Sequence, residues 1–221
     1  MMRRPLALLF DLDGTLIDSA PDLAGAANDM RSARELPLLP LAHFRPMVGS
    51  GARGMLARAL EVGPDDAGFI ELRDEFLQRY ESRMTRETHV FTNMLPVLQA
   101  LAAQRLPWGI VTNKASRFSE PLVRSLAHLD DAVTLICGDT TPHAKPHPAP
   151  LLEAARRIGI EARHCWYIGD DHRDVQAGRA AGMTTVAAAW GYLGAGEPLS
   201  AWGADHVIES PAELLNLLAM A

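Results

Sequence analysis

The chain has 221 residues, of which 48% are hydrophobic and 22% are charged. This composition is typical of a soluble globular protein that buries a sizeable core, and it excludes global disorder. The 21 Lys and Arg residues are outnumbered by 27 Asp and Glu residues, and the net charge of -6 has the wrong sign for a protein that coats nucleic acid. The length permits one domain or two.

The cysteines and the N-terminal segment indicate a reducing compartment. Cys137 and Cys165 lack the spacing of a zinc site or a disulfide framework, and both lie in short apolar runs, so we expect buried thiols. The apolar run 6–10 stops at Asp11 and is too short for a signal peptide or a membrane span. We therefore expect a cytoplasmic protein that has neither a membrane nor a nucleic acid as its partner.

Apolar runs that alternate with amphipathic segments predict a doubly wound parallel sheet. The runs lack strict alternation, as expected for strands covered on both faces, and lie at residues 6–10, 108–111, 133–137, 165–168 and 184–188. Helical segments are predicted at 118–127, 150–158 and 171–181, and a last strand and helix at 206–208 and 211–220. This order predicts an α/β fold with a Rossmann-like core.

The connection between the first two predicted strands is too long for a single crossover helix. Within residues 21–83 the apolar spacing is helical, with breaks at 37–40, 48–51 and 63–64, which predicts about four helices. A further helix at 94–104 returns the chain to the sheet. We therefore predict a core domain of residues 1–18 and 89–221 with a small inserted helical cap domain, residues 19–88.

Polar residues follow the predicted strands at the ends that a parallel sheet brings to one edge. They are Asp11 and Asp13 after the first strand, Thr112 and Asn113 after the second, Lys145 beyond the third, and Asp170 and Asp171 after the fourth. Clustered carboxylates in one crevice require a positive partner. Oxygen ligands favour Mg²⁺, which commonly bridges a carboxylate to a substrate phosphate. The pattern therefore indicates a site for a phosphoryl group.

Four ordered segments resemble the motifs of the haloacid dehalogenase superfamily of phosphatases, and the similarity spans nearly the whole chain. The segments are DLDGT at 11–15, VTNK at 111–114, AKP at 144–146 and GDD at 169–171 followed by Asp174. Residues 174–182 are similar to this superfamily as well. Four motifs in the family's order are far more specific than one.

The resemblance implies a role for each matched residue. It implies that Asp11 is the nucleophile, that Asp13 is the general acid and base, and that Thr112, Asn113 and Lys145 hold the phosphoryl group. It further implies that Mg²⁺ is held by the Asp11 carboxylate, the Asp13 backbone carbonyl and Asp170. Asp174 would position Lys145 or a metal-bound water, and Asp171 would either share that role or cap a helix.

Asp13 separates the branches of the superfamily. The dehalogenases and the phosphonate-cleaving relatives lack an acid at this position, and the latter add a cap lysine, whereas this chain has no lysine before Lys114. Sugar phosphomutases keep both aspartates and a similar cap, so they remain an alternative. A non-enzymatic receiver domain also uses aspartates, a threonine and a lysine, but its phosphorylated aspartate follows a middle strand and it has no inserted cap.

The resemblance extends to phosphoglycolate phosphatases and to a related subgroup that acts on N-acetylmuramic acid 6-phosphate. Segments 111–121, 190–192 and 202–205 resemble the second subgroup. Both substrates carry a carboxylate, which Arg45 or Arg53 in the cap segment 45–54 would bind, unless both arginines decorate an exposed helix. We expect a phosphoglycolate phosphatase, with the amino-sugar phosphate as the alternative substrate, acting on a small phosphate ester as a monomer or homodimer.

Overall fold

The computed structural model describes residues 4–194 and 196–221. The strands in these ranges are β1 (Ala7–Phe10), β2 (Ile17–Asp18), β3 (His89–Val90), β4 (Trp108–Val111), β5 (Leu135–Ile136), β6 (Cys165–Gly169), β7 (Thr184–Ala188) and β8 (His206–Ile208). The α-helices are α1 (Ala20–Ser32), α2 (Leu41–Phe44), α3 (Gly51–Leu60), α4 (Phe69–Glu81), α5 (Leu95–Ala103), α6 (Ser116–Ser125), α7 (Ala149–Ile158), α8 (His172–Ala180) and α9 (Pro211–Met220). None of these helices is both long and apolar enough to cross a bilayer.

The chain forms two compact units. The first comprises Met1–Ile17, Val90–Gly191 and Glu197–Ala221, and the second comprises Asp18–His89 and Tyr192–Gly196. The segment 192–196 thus belongs to the second unit, although the sequence predicts it within the core domain. Hydrogen bonds explain this difference, because the Tyr192 hydroxyl accepts the backbone N–H groups of Ser19 at 2.9 Å and of Ala20 at 3.0 Å.

The first unit is built on a six-stranded sheet in the order β5-β4-β1-β6-β7-β8. All neighbouring strands are parallel, so the predicted α/β class with a doubly wound sheet is confirmed. From β1 the chain builds outward to β4 and β5, then returns to β6 on the other side of β1. The carboxyl ends of β1, β4 and β6 therefore flank the point where the direction of winding reverses, which is where open α/β sheets bind ligands.

Burial accounts for the strands of this sheet and for the differences from the predicted bounds. Every residue of β1, β4 and β6 is buried, as the continuous apolar runs predict. At the sheet edge, β5 covers only Leu135–Ile136, not the predicted 133–137, because it pairs on one side only and Val133 is 57% exposed.

Helix α6 starts two residues earlier than predicted, where Asp139 accepts the Ser116 backbone N–H at 3.0 Å.

The second unit is helical, with α1 to α4 in its described residues, in agreement with the helices predicted for 21–83. The predicted break at 48–51 contains the boundary between two helices, because the 3-10 helix Arg45–Ser50 ends there and α3 starts at Gly51. Gly51 adopts a φ of 59° at this junction, a left-handed conformation that glycine tolerates without steric cost. Cys137 and Cys165, both in the first unit, are free and buried as expected.

Candidate active site

Three adjacent strands place the predicted site residues at one edge of the sheet. Asp11 follows β1, Thr112 follows β4 and Asp170 follows β6, and β1 lies between the other two strands. Lys145 enters from the segment between β5 and α7. All four residues belong to the first unit and are almost completely buried.

Lys145 is the centre of a buried charge network. Its side chain is 3% exposed, and its Nζ lies 2.8 Å from Asp11 Oδ1 and 2.7 Å from Asp174 Oδ1. Nζ also donates to the Tyr167 hydroxyl at 2.7 Å and to the Val111 carbonyl at 3.0 Å. A buried ammonium that lost both carboxylate partners would be left uncompensated, which is costly. The network therefore fixes Lys145 against Asp11.

The burial of this network shifts its ionisation. Burial raises the pKa of Asp11 to about 7, since the attraction of Lys145 offsets the loss of solvent only in part and Asp174 repels the Asp11 charge. Burial alone would lower the pKa of Lys145, but attraction by Asp11 and Asp174 outweighs it, so this pKa is raised. Burial and the Asp174 charge raise the pKa of Tyr167 well above its ordinary value, and the phenol stays neutral.

The carboxylates form a group with the chemistry of a divalent cation site. Asp11, Asp170 and Asp174 each place an oxygen within 4.8 Å of the others. Two of these carboxylates lie beside one ammonium, so the group retains negative charge, and the raised pKa of Asp11 reflects this imbalance together with burial. A cation with oxygen ligands relieves such repulsion. The donor set therefore fits Mg²⁺.

Both oxygens of the Asp174 carboxylate have partners in the first unit. Oδ1 lies beside Lys145 Nζ and accepts the Tyr167 hydroxyl at 3.1 Å, while Oδ2 accepts the Asp171 backbone N–H at 3.1 Å. Asp171 in turn is the N-cap of α8 and completes a capping box with Asp174. Of the two predicted alternatives for Asp171, the structure therefore shows the helix cap.

Asp13 and Lys114 form a second ion pair in the first unit. Lys114 Nζ donates to Asp13 Oδ1 at 3.0 Å and Oδ2 at 3.2 Å, and both side chains are largely buried. Lys114 and Lys145 are the two lysines of the chain, and its remaining basic residues are arginine and histidine. Both lysines thus pair with an aspartate of the first motif.

Asn113 contacts the backbone of Lys145. Its Nδ2 donates to the Lys145 carbonyl and its Oδ1 accepts the Lys145 N–H, each at 2.9 Å. The side chain therefore holds the loop that carries Lys145, a role that the sequence did not predict. Neighbouring Thr112 is buried, and its hydroxyl accepts the Lys114 N–H at 3.1 Å.

The family model of the haloacid dehalogenase-like hydrolases matches residues 8–188. The chain belongs to this family. The match covers the described β1 to β7 and therefore every motif residue of the site. The prediction of a haloacid dehalogenase-type phosphatase is thus confirmed at the level of family and enzyme class.

Relatives of this haloacid dehalogenase-like hydrolase carry two functional names. It is 48% identical over 96% of both chains to a phosphoglycolate phosphatase of Xanthomonas campestris pv. campestris strain 8004. It is 38% identical to an N-acetylmuramic acid 6-phosphate phosphatase of Pseudomonas aeruginosa, over 97% of this chain and 95% of the relative. Its structure resembles that of a predicted phosphoglycolate phosphatase from Haemophilus somnus, with a TM-score of 0.84, 26% identity, and coverage of 98% of this chain and 99% of the other.

In the second unit of the hydrolase, Arg45 and Arg53 have different surroundings. The Arg45 guanidinium binds Asp18 through two hydrogen bonds of 2.5 and 3.2 Å and lies 5.9 Å from the Tyr192 ring centroid. The Tyr192 hydroxyl donates to Asp18 at 3.0 Å. Arg53 is exposed on α3 and forms no ion pair with any residue that the structure describes. The sequence predicts the same role, binding of a substrate carboxylate, for both arginines. In the structure Arg45 binds the carboxylate of Asp18, and Arg53 does not bind one in the described residues.

Several residues of the hydrolase's site carry no predicted role. Tyr167 lies in an apolar strand. The one indication of its role in the sequence is that a phenol within a buried apolar run requires a hydrogen-bond partner. Thr15 is fully buried and donates to Asp170 Oδ1 at 2.8 Å. Trp190 donates its indole N–H to the Thr15 carbonyl at 3.1 Å. These contacts join distant chain segments and leave no local sequence pattern.

Proposed function

We propose that this hydrolase cleaves small phosphate monoesters in two steps through an aspartyl phosphate on Asp11. The supporting observation is the contact between Lys145 Nζ and Asp11 Oδ1. In the first step an Asp11 oxygen attacks phosphorus, the bond to the leaving oxygen breaks, and Asp13 donates a proton to that oxygen. In the second step water attacks the phosphorus, Asp13 accepts the water's proton, and phosphate leaves with Asp11 restored.

The remaining groups would hold the phosphoryl oxygens and the nucleophile. The Lys145 ammonium would offset charge on both the phosphoryl group and Asp11, and the Thr112 hydroxyl would donate a hydrogen bond. Asn113 would contribute its backbone N–H, since its side chain is bound to the Lys145 backbone. Asp174 would keep Lys145 in place, because their charged atoms lie 2.7 Å apart.

We propose Mg²⁺ as the cofactor. The Asp11 carboxylate, the Asp13 backbone carbonyl and Asp170 would hold it, whereas Asp174 would hold Lys145, whose Nζ lies 2.7 Å from its Oδ1. The cation would neutralise charge on the aspartates and on the phosphoryl group. Removal of Mg²⁺ with a chelator should abolish activity, and its return should restore activity; full activity in the metal-free protein would contradict the proposed site.

For the substrate we propose 2-phosphoglycolate, with N-acetylmuramic acid 6-phosphate as the second candidate. The first is supported by the relative at 48% identity, and the second by the relative at 38% identity. Both carry a carboxylate, which we assign to a cap arginine in residues 19–88. Arg53 is exposed and would bind the carboxylate directly. Arg45 would first have to release Asp18 and would then bind the substrate carboxylate in its place.

The test is phosphate release from both candidates and from a set of sugar phosphates, with and without Mg²⁺. A matched substrate, 2-hydroxyethyl phosphate, replaces the carboxylate of 2-phosphoglycolate by an alcohol. If a cap arginine binds the carboxylate, kcat/KM falls for the alcohol, and Arg45→Gln or Arg53→Gln removes the difference between the two substrates.

Three outcomes would contradict parts of the proposal. Equal kcat/KM for the acid and the alcohol would exclude recognition of the carboxylate. Conversion between sugar phosphate isomers with little free phosphate would show a mutase. Stable labelling by acetyl phosphate without turnover of any ester would show a phospho-acceptor instead of an enzyme.

A further inference from the structure

The Asp170 carboxylate accepts a hydrogen bond from the turn that follows a neighbouring strand. Asp170 follows β6 and is 3% exposed, and its Oδ1 accepts the hydroxyl of fully buried Thr15 at 2.8 Å. Thr15 lies in the turn after β1, the strand paired with β6. The hydrogen bond from the Thr15 hydroxyl restricts the rotation of this buried carboxylate and so limits where its second oxygen points.

Trp190 fixes the backbone of Thr15 from the other side. It follows β7, which pairs with the opposite edge of β6, and its indole N–H donates to the Thr15 carbonyl at 3.1 Å. The hydrogen bond crosses from the end of β7 to the end of β1. Thr15 is therefore held through its carbonyl while its hydroxyl holds Asp170.

Gly191 limits the remaining space around Asp170. A Cβ at position 191 would lie 2.1 Å from Asp170 Cβ and 2.5 Å from both Cγ and Oδ2. Gly191 is not among the glycines with positive φ, so its backbone conformation is open to alanine, and the three atoms nearest the added Cβ all belong to the Asp170 side chain. Glycine is needed here for close approach, not for backbone conformation.

We infer that Thr15, Trp190 and Gly191 are positioning residues that orient the Asp170 carboxylate for a divalent cation. The inference rests on the proposed Mg²⁺ site. Thr15 supplies the donor, Trp190 holds Thr15, and Gly191 leaves room for the carboxylate beside the end of β7. Residues that orient a metal ligand typically change metal affinity by about ten- to a hundredfold when they are replaced.

The experiment measures the Mg²⁺ dissociation constant by calorimetry on the metal-free protein at pH 8. The variants are Thr15→Val, Thr15→Ser, Trp190→Phe and Gly191→Ala. The matched controls are Trp202→Phe, which removes an indole bond of 2.9 Å to the Glu197 carbonyl, and Gly178→Ala, which places a Cβ 2.5 Å from Thr185 Cγ2. Denaturant unfolding of each metal-free variant measures its stability independently.

We expect Thr15→Val, Trp190→Phe and Gly191→Ala to weaken Mg²⁺ binding by about tenfold or more. We expect Thr15→Ser, which keeps the hydroxyl, and both controls to bind Mg²⁺ as the wild type does. Unchanged affinity in the first three variants, or equal losses in the two controls, would overturn the inference. If the wild type and Asp170→Asn bind Mg²⁺ with the same affinity, the result instead contradicts the proposed cation site itself.

Discussion

Lys145 Nζ lies 2.8 Å from Asp11 Oδ1 inside the first unit, although the two residues are 134 positions apart in the chain. The same ammonium lies 2.7 Å from Asp174 Oδ1. One positive charge thus faces two carboxylates in a site that excludes most water. This imbalance makes the ionisation of Asp11 dependent on pH and on bound cations.

The metal-free protein should lose stability as the pH rises from about 4 to about 7. The pKa of Asp11 is about 7 in the folded protein, against an ordinary value of 3.8. A raised carboxyl pKa means that the contribution of Asp11 to stability is complete below the unfolded value and is lost as the pH passes through the folded value. The loss should be on the order of 1 kcal/mol per pH unit in this window.

Asp11→Asn is the matched control for this titration, because asparagine keeps the shape but does not ionise. Urea unfolding of both proteins in excess chelator between pH 4 and pH 8 gives the difference in the free energy of unfolding, from which the titrating groups that do not interact with Asp11 cancel. Parallel profiles for the two proteins would contradict the raised pKa. Addition of Mg²⁺ at pH 8 should stabilise the wild type more than the variant.

Asp11→Asn should also abolish turnover while the protein remains folded, because the amide is not a competent nucleophile. Asp13→Asn should slow turnover by about a hundredfold or more through the loss of acid–base help. Phosphate release and circular dichroism on the same samples separate lost chemistry from lost folding. Appreciable residual activity of Asp11→Asn, after contaminants are excluded, would contradict its role as nucleophile.

Apolar runs predicted the strands, and the polar residues that follow them predicted the candidate site, because both are local patterns in the sequence. The contacts that hold these residues were not predictable in the same way. Asn113 is close in sequence to Thr112 and was expected to share its ligand, yet its side chain binds Lys145. The hydrogen bonds between Asn113 and Lys145 join positions 32 apart in the chain. They depend on the path of the loop that carries Lys145, and the hydrophobic periodicity of the sequence does not determine that path.

In the second unit, too, the sequence predicted the helices but not the contacts between distant segments. Helical spacing predicted its helices, but the segment 192–196 joins it through the Tyr192 hydroxyl, which accepts backbone N–H groups at the start of α1. Burial and a hydroxyl position become visible only in three dimensions. Likewise, no sequence pattern connects Trp190 with the site. The connection is visible only as the 3.1 Å hydrogen bond from its indole N–H to the Thr15 carbonyl.

Asn113→Ala should lower kcat by about tenfold or more, because a small displacement of Lys145 misplaces its charge. Loss of two neutral hydrogen bonds should also lower the free energy of unfolding by about 2 kcal/mol. Asn28→Ala is the matched control, since Asn28 binds the Leu39 backbone through the same two bonds, at 2.9 and 3.0 Å, in the second unit. Steady-state kinetics and urea unfolding provide the two measurements.

The control should lose similar stability but keep a kcat near that of the wild type. If Asn113→Ala raises KM without changing kcat, its side chain contributes to substrate binding and not to the placement of Lys145. If both variants lose kcat equally, the effect reflects general destabilisation.

The lysine side chains offer a direct test of the charge network, because the chain has only Lys114 and Lys145. Lysine labelled at Cε and Nζ should therefore give two NMR signals, which Lys114→Arg assigns. The attraction of Asp11 and Asp174 outweighs burial and raises the pKa of Lys145 above its ordinary 10.5, so the midpoint of its deprotonation should lie above pH 10.5. In Asp11→Asn one attraction is lost while burial remains, and the pKa should fall. Deprotonation of the wild-type Lys145 ammonium with a midpoint below pH 10, or the same midpoint in Asp11→Asn, would contradict the proposed coupling between the two residues.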